Sequence, residues 1–452
     1  MRLKPFLSIV LLLLSLSSCV EPGRQTDPGP RAYARERLGQ PHRVAPTVPE
    51  MVEPTGVITL DQALALALEN NPKLKASSWD INAAEAGRSQ ARLGPNPELE
   101  VEIEEVGGAG NRSGFDGAET TIAIAQPIEM GRKRARRTAL ASLEKELAEW
   151  DYRAKRLEVI REVTEAFVTV LAWQKRLTLA EEIVRIAERA HDAVVQRVEA
   201  GRDSPIEQTK SAVALATVRI EPQRARLALK SARKRLAATW GAKIAGFDSV
   251  VGEFDRTAPV PSSAELSRLI GHNPDVARWG AELEKSRATL ELEKARATSD
   301  ITLSGGWQHF NETDDSAAVF GLSIPLAVSN RNQGGIRRAT YLLAKAQESG
   351  KAAEIKALAA LEEAAQRLAS AYAEATALKN EVLPGAQSSF DAVSNGYRDG
   401  KFDYLQVLDA QRTLFEARSK YVESLAAYHK ASADVERLIG RGIDSIRTVR
   451  KQ

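Results

Sequence analysis

The chain has 452 residues, 43% of them hydrophobic, which suits two or three domains or one elongated architecture and is a composition that folds. Its 63 Lys and Arg against 60 Asp and Glu leave a net charge of only +3, so no basic excess is available to neutralise phosphates and a general nucleic-acid binder is disfavoured. Aromatics are 5%, Ala, Leu, Glu, Lys and Arg dominate as in long helices, and Cys19 is the lone cysteine, which excludes an intrachain disulfide and a thiolate metal cluster.

Arg2 and Lys4 precede the apolar run Phe6 to Leu16. That run is too short for a bilayer of about 30 Å, so residues 1–18 read as an export signal. Leu16-Ser17-Ser18-Cys19 resembles the lipobox of bacterial lipoproteins, which implies cleavage before Cys19 and acylation of its sulfur and new amino terminus. An ordinary signal peptide that ends near a cysteine is the plainer alternative. Val20 stands where Asp would imply retention at the inner membrane, so the resemblance implies the outer membrane. Residues 19–56 hold seven prolines, Pro22 to Pro54, without apolar periodicity, and read as an extended tether. After residue 20 no apolar run approaches 18 residues, so any membrane crossing must be a closed barrel.

The body is written twice. Asn71-Pro72 is echoed by Asn273-Pro274, Gln126-Pro127 by Ile324-Pro325, the Gly201 turn by Gly400, and Trp240-Gly241 by Ile439-Gly440. Four landmarks in the same order at nearly constant spacing define repeats at about 57–250 and 260–445, with a linker at 251–259 and a basic tail at 446–452. In each repeat a helix follows the Asn-Pro, at Lys73 to Leu93 and Asp275 to Thr298. The period then changes to two. Glu98 to Glu104 alternates strictly, Ile122 and Ile124 share a face, and Ile301, Leu303, Gly305 and Trp307 are followed by Ala318, Phe320, Leu322 and Ile324. Each pair of strands brackets a polar loop, 105–117 and 311–316, which predicts two hairpins.

Long helices follow at about 132–200 and 335–399, the second bent or broken near Pro384. Return helices run from Pro205 to Trp240 and from Asp403 to Ile439. The helix before the strands and the return helix together nearly match the long one in length. Stacked end to end beside it they make a second column of equal height, which is a helical wall and not a globule.

Four strands cannot close on themselves, and eight enclose only side chains. If these strands span a membrane the chain must assemble, and three copies give a 12-stranded barrel with an open lumen. The pattern fits: the apolar face meets lipid, while Glu98, Glu100, Glu102 and Glu104 face a wet lumen. A half-exposed surface strand with solvated carboxylates is the bland alternative.

The two repeats resemble the TolC-type outer-membrane efflux protein family. The Gln-Pro and Ile-Pro strand ends, the tips Glu199-Ala200-Gly201 and Arg398-Asp399-Gly400, and the run Tyr404 to Ala410 carry the resemblance. Gly321 to Leu326 followed by Asn330 to Gly334 is more similar to the cobalt-zinc-cadmium branch, the CzcC and CusC type. The fold so implied is mainly α with a β-barrel contribution: a homotrimer with a 12-stranded barrel on an α-helical periplasmic tunnel. Also implied are an inner-membrane resistance-nodulation-division pump and a periplasmic adaptor (membrane fusion) protein as partners, with outer-membrane lipid around the barrel.

By the same resemblance, Gly201, Arg202, Asp203 and Ser204 on one tip and Gly400, Lys401, Phe402 and Asp403 on the other form the periplasmic aperture and adaptor-docking surface. Turn residues of no further role would look the same. Asp409 matches an acidic aperture position, whereas Gln406 stands where a second acid would double the ring. Three Asp409 carboxylates round one axis would favour cations, and a solvated helix aspartate is the alternative. The histidines are scattered and no Walker, dinucleotide or nucleophile-elbow motif occurs, so no enzyme, cofactor or metal site is expected. The function expected is a passive exit duct for divalent or heavy-metal cations. A duct for drugs or type I secreted polypeptides, or a lipid-anchored periplasmic coiled-coil protein without a pore, are the alternatives.

Overall fold

The computed structural model describes residues 53–443; the export signal, Cys19, the tether to residue 52 and the basic tail lie outside the described residues. The first repeat runs β1 (Gly56–Ile58), α1 (Leu60–Asn70), α2 (Pro72–Ala91), β2 (Glu98–Glu104), β3 (Glu119–Ile128), α3 (Lys133–Glu199), α4 (Pro205–Val218), α5 (Ile220–Ala238) and β4 (Phe247–Val250). The second runs α6 (Ser263–Ser267), α7 (Pro274–Arg296), β5 (Ile301–Phe310), β6 (Asp315–Ser323), α8 (Gln333–Ala377), α9 (Leu383–Arg398) and α10 (Tyr404–Ile439). Among the described residues no helix is long and apolar enough to cross a membrane.

The two hairpins join. β3 pairs antiparallel with β5, which makes one four-stranded sheet in the order β2-β3-β5-β6. Directly paired residues share a face, so the register Leu99↔Ile124, Val101↔Ile122, Ile122↔Trp307 and Leu303↔Leu322 collects the apolar side chains on one side. The second loop is shorter than expected, because pairing continues to Phe310↔Asp315 and leaves only 311–314 as the turn.

The helices form a wall one layer thick. α3, with 67 residues about 100 Å long, packs against α2, α4, α5, α7 and α10; α8 packs on α7 and α10, and α9 on α10. The column β2, α2, α5 and α4 is therefore one edge, and β6, α8 and α9 the other. Buried positions are largely small or branched, such as Val163, Ala187 and Val194 on α3 and Leu361, Ala364 and Leu368 on α8, which lets helices approach closely.

End-to-end stacking follows from the Asn-Pro landmarks. Asn71 caps α2 by accepting from the amides of Lys73 and Leu74, and its Nδ2 donates to the carbonyl of Thr239, the C-cap residue of α5, at 2.7 Å. Gly241, with φ of +88°, passes so close to Pro72 that a side chain would have little room. In the second repeat Asn273 caps α7, and Gly440, φ +72°, lies against the carbonyl of His272.

Three features depart from the sequence reading. The first return helix is not continuous: Pro222 has no N–H for the carbonyl of Val218, and the helix is interrupted at Arg219. Pro384 produces no break; a π-turn over Leu378–Val382 absorbs its missing donor and the helix continues. The short parallel pair β1·β4 and helix α1, which wrap the middle of α3, were not anticipated because each is too short to show a period.

Candidate functional site

At the tips, glycines in the left-handed region, Gly201 at φ +68° and Gly400 at +77°, end α3 and α9. Ser204 then caps α4 through the amide of Ile206. Asp403 caps α10 by accepting from the Gln406 amide at 3.0 Å, while the Gln406 side chain accepts from the Asp403 amide at 3.2 Å. Gln406 thus has a local structural role, since a side-chain oxygen at that place completes the capping box. Phe402 covers Gly396, where a Cβ would overlap its ring. Lys401 pairs with Asp399 at 3.3 Å in the open, and Arg202 is exposed.

The two tips are tied to each other. Arg197 grips Asp203 through Nε at 2.8 Å and Nη2 at 3.0 Å, and donates from Nη1 to the carbonyl of Tyr397 at 3.0 Å. The Tyr397 hydroxyl donates to Asp203 at 2.7 Å, and the guanidinium lies 4.8 Å from the Tyr397 ring centre. The Arg197 hydrogen bonds hold the Asp203 carboxyl below its usual range. Burial and Asp203 push the Tyr397 phenol upward, and burial pushes Tyr404 up to about 12, so both stay protonated donors near neutral pH. Val194, Tyr397, Tyr404 and Val407 pack beneath as an apolar plug. Sequence reasoning missed Arg197 and Tyr397; their signal is position, one helical turn before each tip glycine.

Asp409 is exposed about two turns up from the second tip, and its carboxylate meets Arg412 Nη2 at 3.2 Å. That neighbour offsets part of the field a ring of Asp409 carboxylates would give. Among the described residues no group of His, Cys, Asp and Glu is arranged to hold a metal ion.

On the sheet, Glu98, Glu100, Glu102 and Glu104 are exposed on the face opposite Leu99, Val101 and Ile103. The registered row-mates of Glu98 and Glu100 are small, Ala125 and Ser304, then Ala123 and Gly306, whereas those of Glu102 and Glu104 are Thr121 and Gln308, then Glu119 and Phe310. A Cβ at Gly306 would collide with Ile122 and Ala123, and one at Gly321 with Ser304. Small residues on this face are what a concave inner surface requires. The opposite face exposes large apolar side chains, Phe320 at 87% and Leu99 at 70%, and near its loop end Trp307 stacks on His309 at 5.5 Å.

A sheet with one apolar and one acidic face, two open edges and a helical wall beneath it is one segment of a membrane channel built from several chains. The family model for outer membrane efflux proteins matches residues 63–242 and 266–441, and the chain belongs to that family. The cobalt-zinc-cadmium resistance protein CzcC of Cupriavidus metallidurans is 36% identical over 86% of this chain and 91% of its own length. The nickel-cobalt-cadmium resistance protein NccC of Alcaligenes xylosoxydans xylosoxydans is 25% identical over 69% of this chain and 70% of its own. Among solved structures, CusC superposes with a TM-score of 0.72 at 17% identity, over 88% of this chain and 96% of its own. The outer membrane protein VceC of Vibrio cholerae gives 0.70 at 17%, over 85% of this chain and 96% of its own. These likenesses bear out the mainly helical tunnel-and-barrel fold, and the family and its structural neighbours are channels, not enzymes.

Proposed function

We propose that the chain is the outer-membrane exit duct of a tripartite system that expels divalent heavy-metal cations, fed through a periplasmic adaptor by an inner-membrane proton-driven pump. The observation that carries it is the sheet: the outer edges of β2 and β6 have no partner strand among the described residues, yet the apolar face between them lies exposed. Such a sheet is stable in lipid only when identical neighbours pair its edges. Three copies of four strands give twelve, enough for a lumen lined by Glu98 to Glu104.

The helical edge supports the same assembly. On α4 and α5, Ser211, Leu215, Pro222, Ala225 and Ala232 are buried, as the face turned to α3 requires. Ile206, Val213, Ile220 and Leu227 recur every seven residues on the other side and are 54%, 62%, 49% and 71% exposed. A helix with two apolar lines touches two neighbours, and in a closed ring the second is the α8–α9 edge of the next copy. That edge offers small exposed residues, Gly385, Ser388 and Ala392 on α9, as receiving holes.

The tips Gly201–Ser204 and Gly400–Asp403, with Gln406 and Asp409, then form the periplasmic aperture and the adaptor's docking surface. The metal cargo rests on the relatives: CzcC, NccC and the nickel and cobalt resistance protein CnrC of Cupriavidus metallidurans are each named for metals. Choosing the ion falls to the pump. Acylation at Cys19 adds an anchor in the same membrane. The test is conductance of the purified trimer in planar bilayers together with tolerance of a deletion strain to zinc, cobalt and cadmium. Heat-labile trimers that conduct, and metal sensitivity without drug sensitivity, are expected. A monomeric rod without conductance would overturn the duct, and drug sensitivity alone would overturn the cargo.

A further inference from the structure

The two repeats pack alike, and the first contains a template for what meets the open edge of the second. Lys145 on α3 reaches Glu85 on α2 at 2.9 Å, and Gly350 on α8 lies against Trp279 on α7, so α2 sits on α3 as α7 sits on α8. The strand ends Gln126-Pro127 and Ile324-Pro325 set the correspondence between the two long helices at 198 residues (126 to 324). Ala141 and Ala339, equivalent by that count, are both buried. Asn71 and Asn273 set the correspondence between α2 and α7 at 202 (71 to 273).

α3 has a second flank, covered by α7 and bracketed by two ion pairs, Arg136 to Glu291 at 3.5 Å and Asp151 to Arg278 at 2.9 Å. Between them Leu140, Leu143 and Leu147 follow at i, i+3 and i+7 on one face, and Leu147 is buried. Their equivalents on α8 are Arg338, Tyr341 and Lys345, all exposed, which with Leu342 line an open groove of about 430 Å³. The residues on α2 equivalent to the α7 face turned to α3 are Ala76, Trp79, Ala83 and Ala86, spaced i, i+3, i+7 and i+10. All four are exposed, Trp79 at 66%, although its equivalent Ala281 is buried. The chain therefore carries both halves of the α3–α7 contact a second time, on opposite edges, where they cannot reach each other.

We propose that the groove at the start of α8 is a site completed by α2 of the next copy, with Tyr341 seated on the partner subunit's Ala83 and the Lys345 ammonium over the ring of the partner subunit's Trp79. The register follows from the two intrachain ion pairs: carried over by the same counts, it sets Arg338 level with the partner subunit's Ala86, and the other two pairs as stated. Alanines leave the holes that a tyrosine and a long arginine stem fill, and a tryptophan face is the ring that best receives a cation. The proposal rests on the ring reading above. It adds that the helical wall just beneath the sheet repeats one helix contact six times, three within chains and three between them, and that Trp79 and Lys345 mark the contacts between chains.

The test uses the full-length protein with Tyr341→Cys and Ala83→Cys together, treated with a short bismaleimide and read on denaturing gels. Covalent dimers and trimers are expected as the main species, and neither single variant should give them, which controls for Cys19. Tyr341→Cys with Ala76→Cys, two turns away on the same stripe, should not cross-link. If the first pair fails to assemble, Arg338→Cys with Ala86→Cys is used with the same outcomes. The ring contact is read separately from the temperature at which trimers dissociate: Trp79→Ala and Lys345→Met should each lower it, and the double variant no further than the larger single effect. Absence of cross-links at Tyr341 and Ala83, equal cross-linking at Ala76, or additive losses in the double variant overturns the proposal. A conducting trimer without this cross-link removes the α2–α8 contact alone, whereas absence of conductance in the unaltered protein removes the duct reading.

Discussion

Asn71 donates its side-chain amide to the carbonyl of Thr239 at 2.7 Å, and so joins the foot of α2 to the head of α5, 168 residues away in sequence. One side chain caps one helix and satisfies the end of another. Its counterpart Asn273 is also buried and caps α7, yet its Nδ2 has no hydrogen-bond partner among the described residues. The two junctions are alike in sequence and unequal in energy.

Asn71→Ala should therefore cost about 2–3 kcal/mol, a lost cap plus an orphaned carbonyl, and Asn273→Ala about 1 kcal/mol, the cap alone. Chemical denaturation of the two variants, compared by midpoint, checks the difference. Equal losses would mean that the Thr239 bond contributes nothing.

Tyr397→Phe removes the hydroxyl that bonds Asp203, and Arg197→Leu removes the whole clasp between the tips. Both should raise single-channel conductance, Arg197→Leu more. The bond to a charged group that Tyr397→Phe deletes is worth about 1.5–3 kcal/mol. Unchanged conductance in both variants would show that the clasp does not narrow the opening.

On α4 and α5, Val213→Lys and Leu227→Lys place charge in the apolar line at 62% and 71% exposed positions. The fold of the single chain should survive, since neither residue is buried within it, while the trimer should be lost on native gels. Persistence of trimers in both variants would mean that the seam lies elsewhere.

Arg412→Ala frees Asp409 from its neighbour and should increase cation selectivity, whereas Asp409→Ala should decrease it. Reversal potentials under a salt gradient give the sign directly. Identical potentials in both variants would remove Asp409 from the pathway.

His429 is half-buried, donates to the carbonyl of Phe254 at 2.8 Å and stacks on the Phe254 ring at 5.7 Å; its partial burial pushes its pKa below the usual histidine value. A base with a depressed folded pKa is stabilising above its unfolded pKa, about 6.5, and loses that contribution as pH falls from there toward the folded value. Thermal stability should accordingly drop on acidification below about pH 6.5. In His429→Gln the drop should be smaller, read from melting temperatures across the same pH series.

Period and punctuation determined a great deal. The strict alternation of Glu98 to Glu104 could only be a strand with two unlike faces, and Asn-Pro and Gly landmarks at nearly constant offsets gave the duplication and the helix ends. These are local signals, set by backbone geometry within a few residues, so one sequence carries them. Pro384 and Pro222 mark the limit of that reasoning: each announces a missing donor, but whether a π-turn or an interruption answers it depends on what the helix packs against.

Tertiary structure alone decided the rest, because the partners lie far apart along the chain. Nothing local tells Arg197 that the Tyr397 carbonyl will stand 3.0 Å away, or Arg137 that the carbonyls of Ala91 and Leu93 will meet it. The union of the two hairpins through β3 and β5 is likewise a product of packing. Sequence determined which faces are apolar and where helices turn; three-dimensional proximity decided which charged groups are satisfied, and so which remain free for a neighbour or an ion.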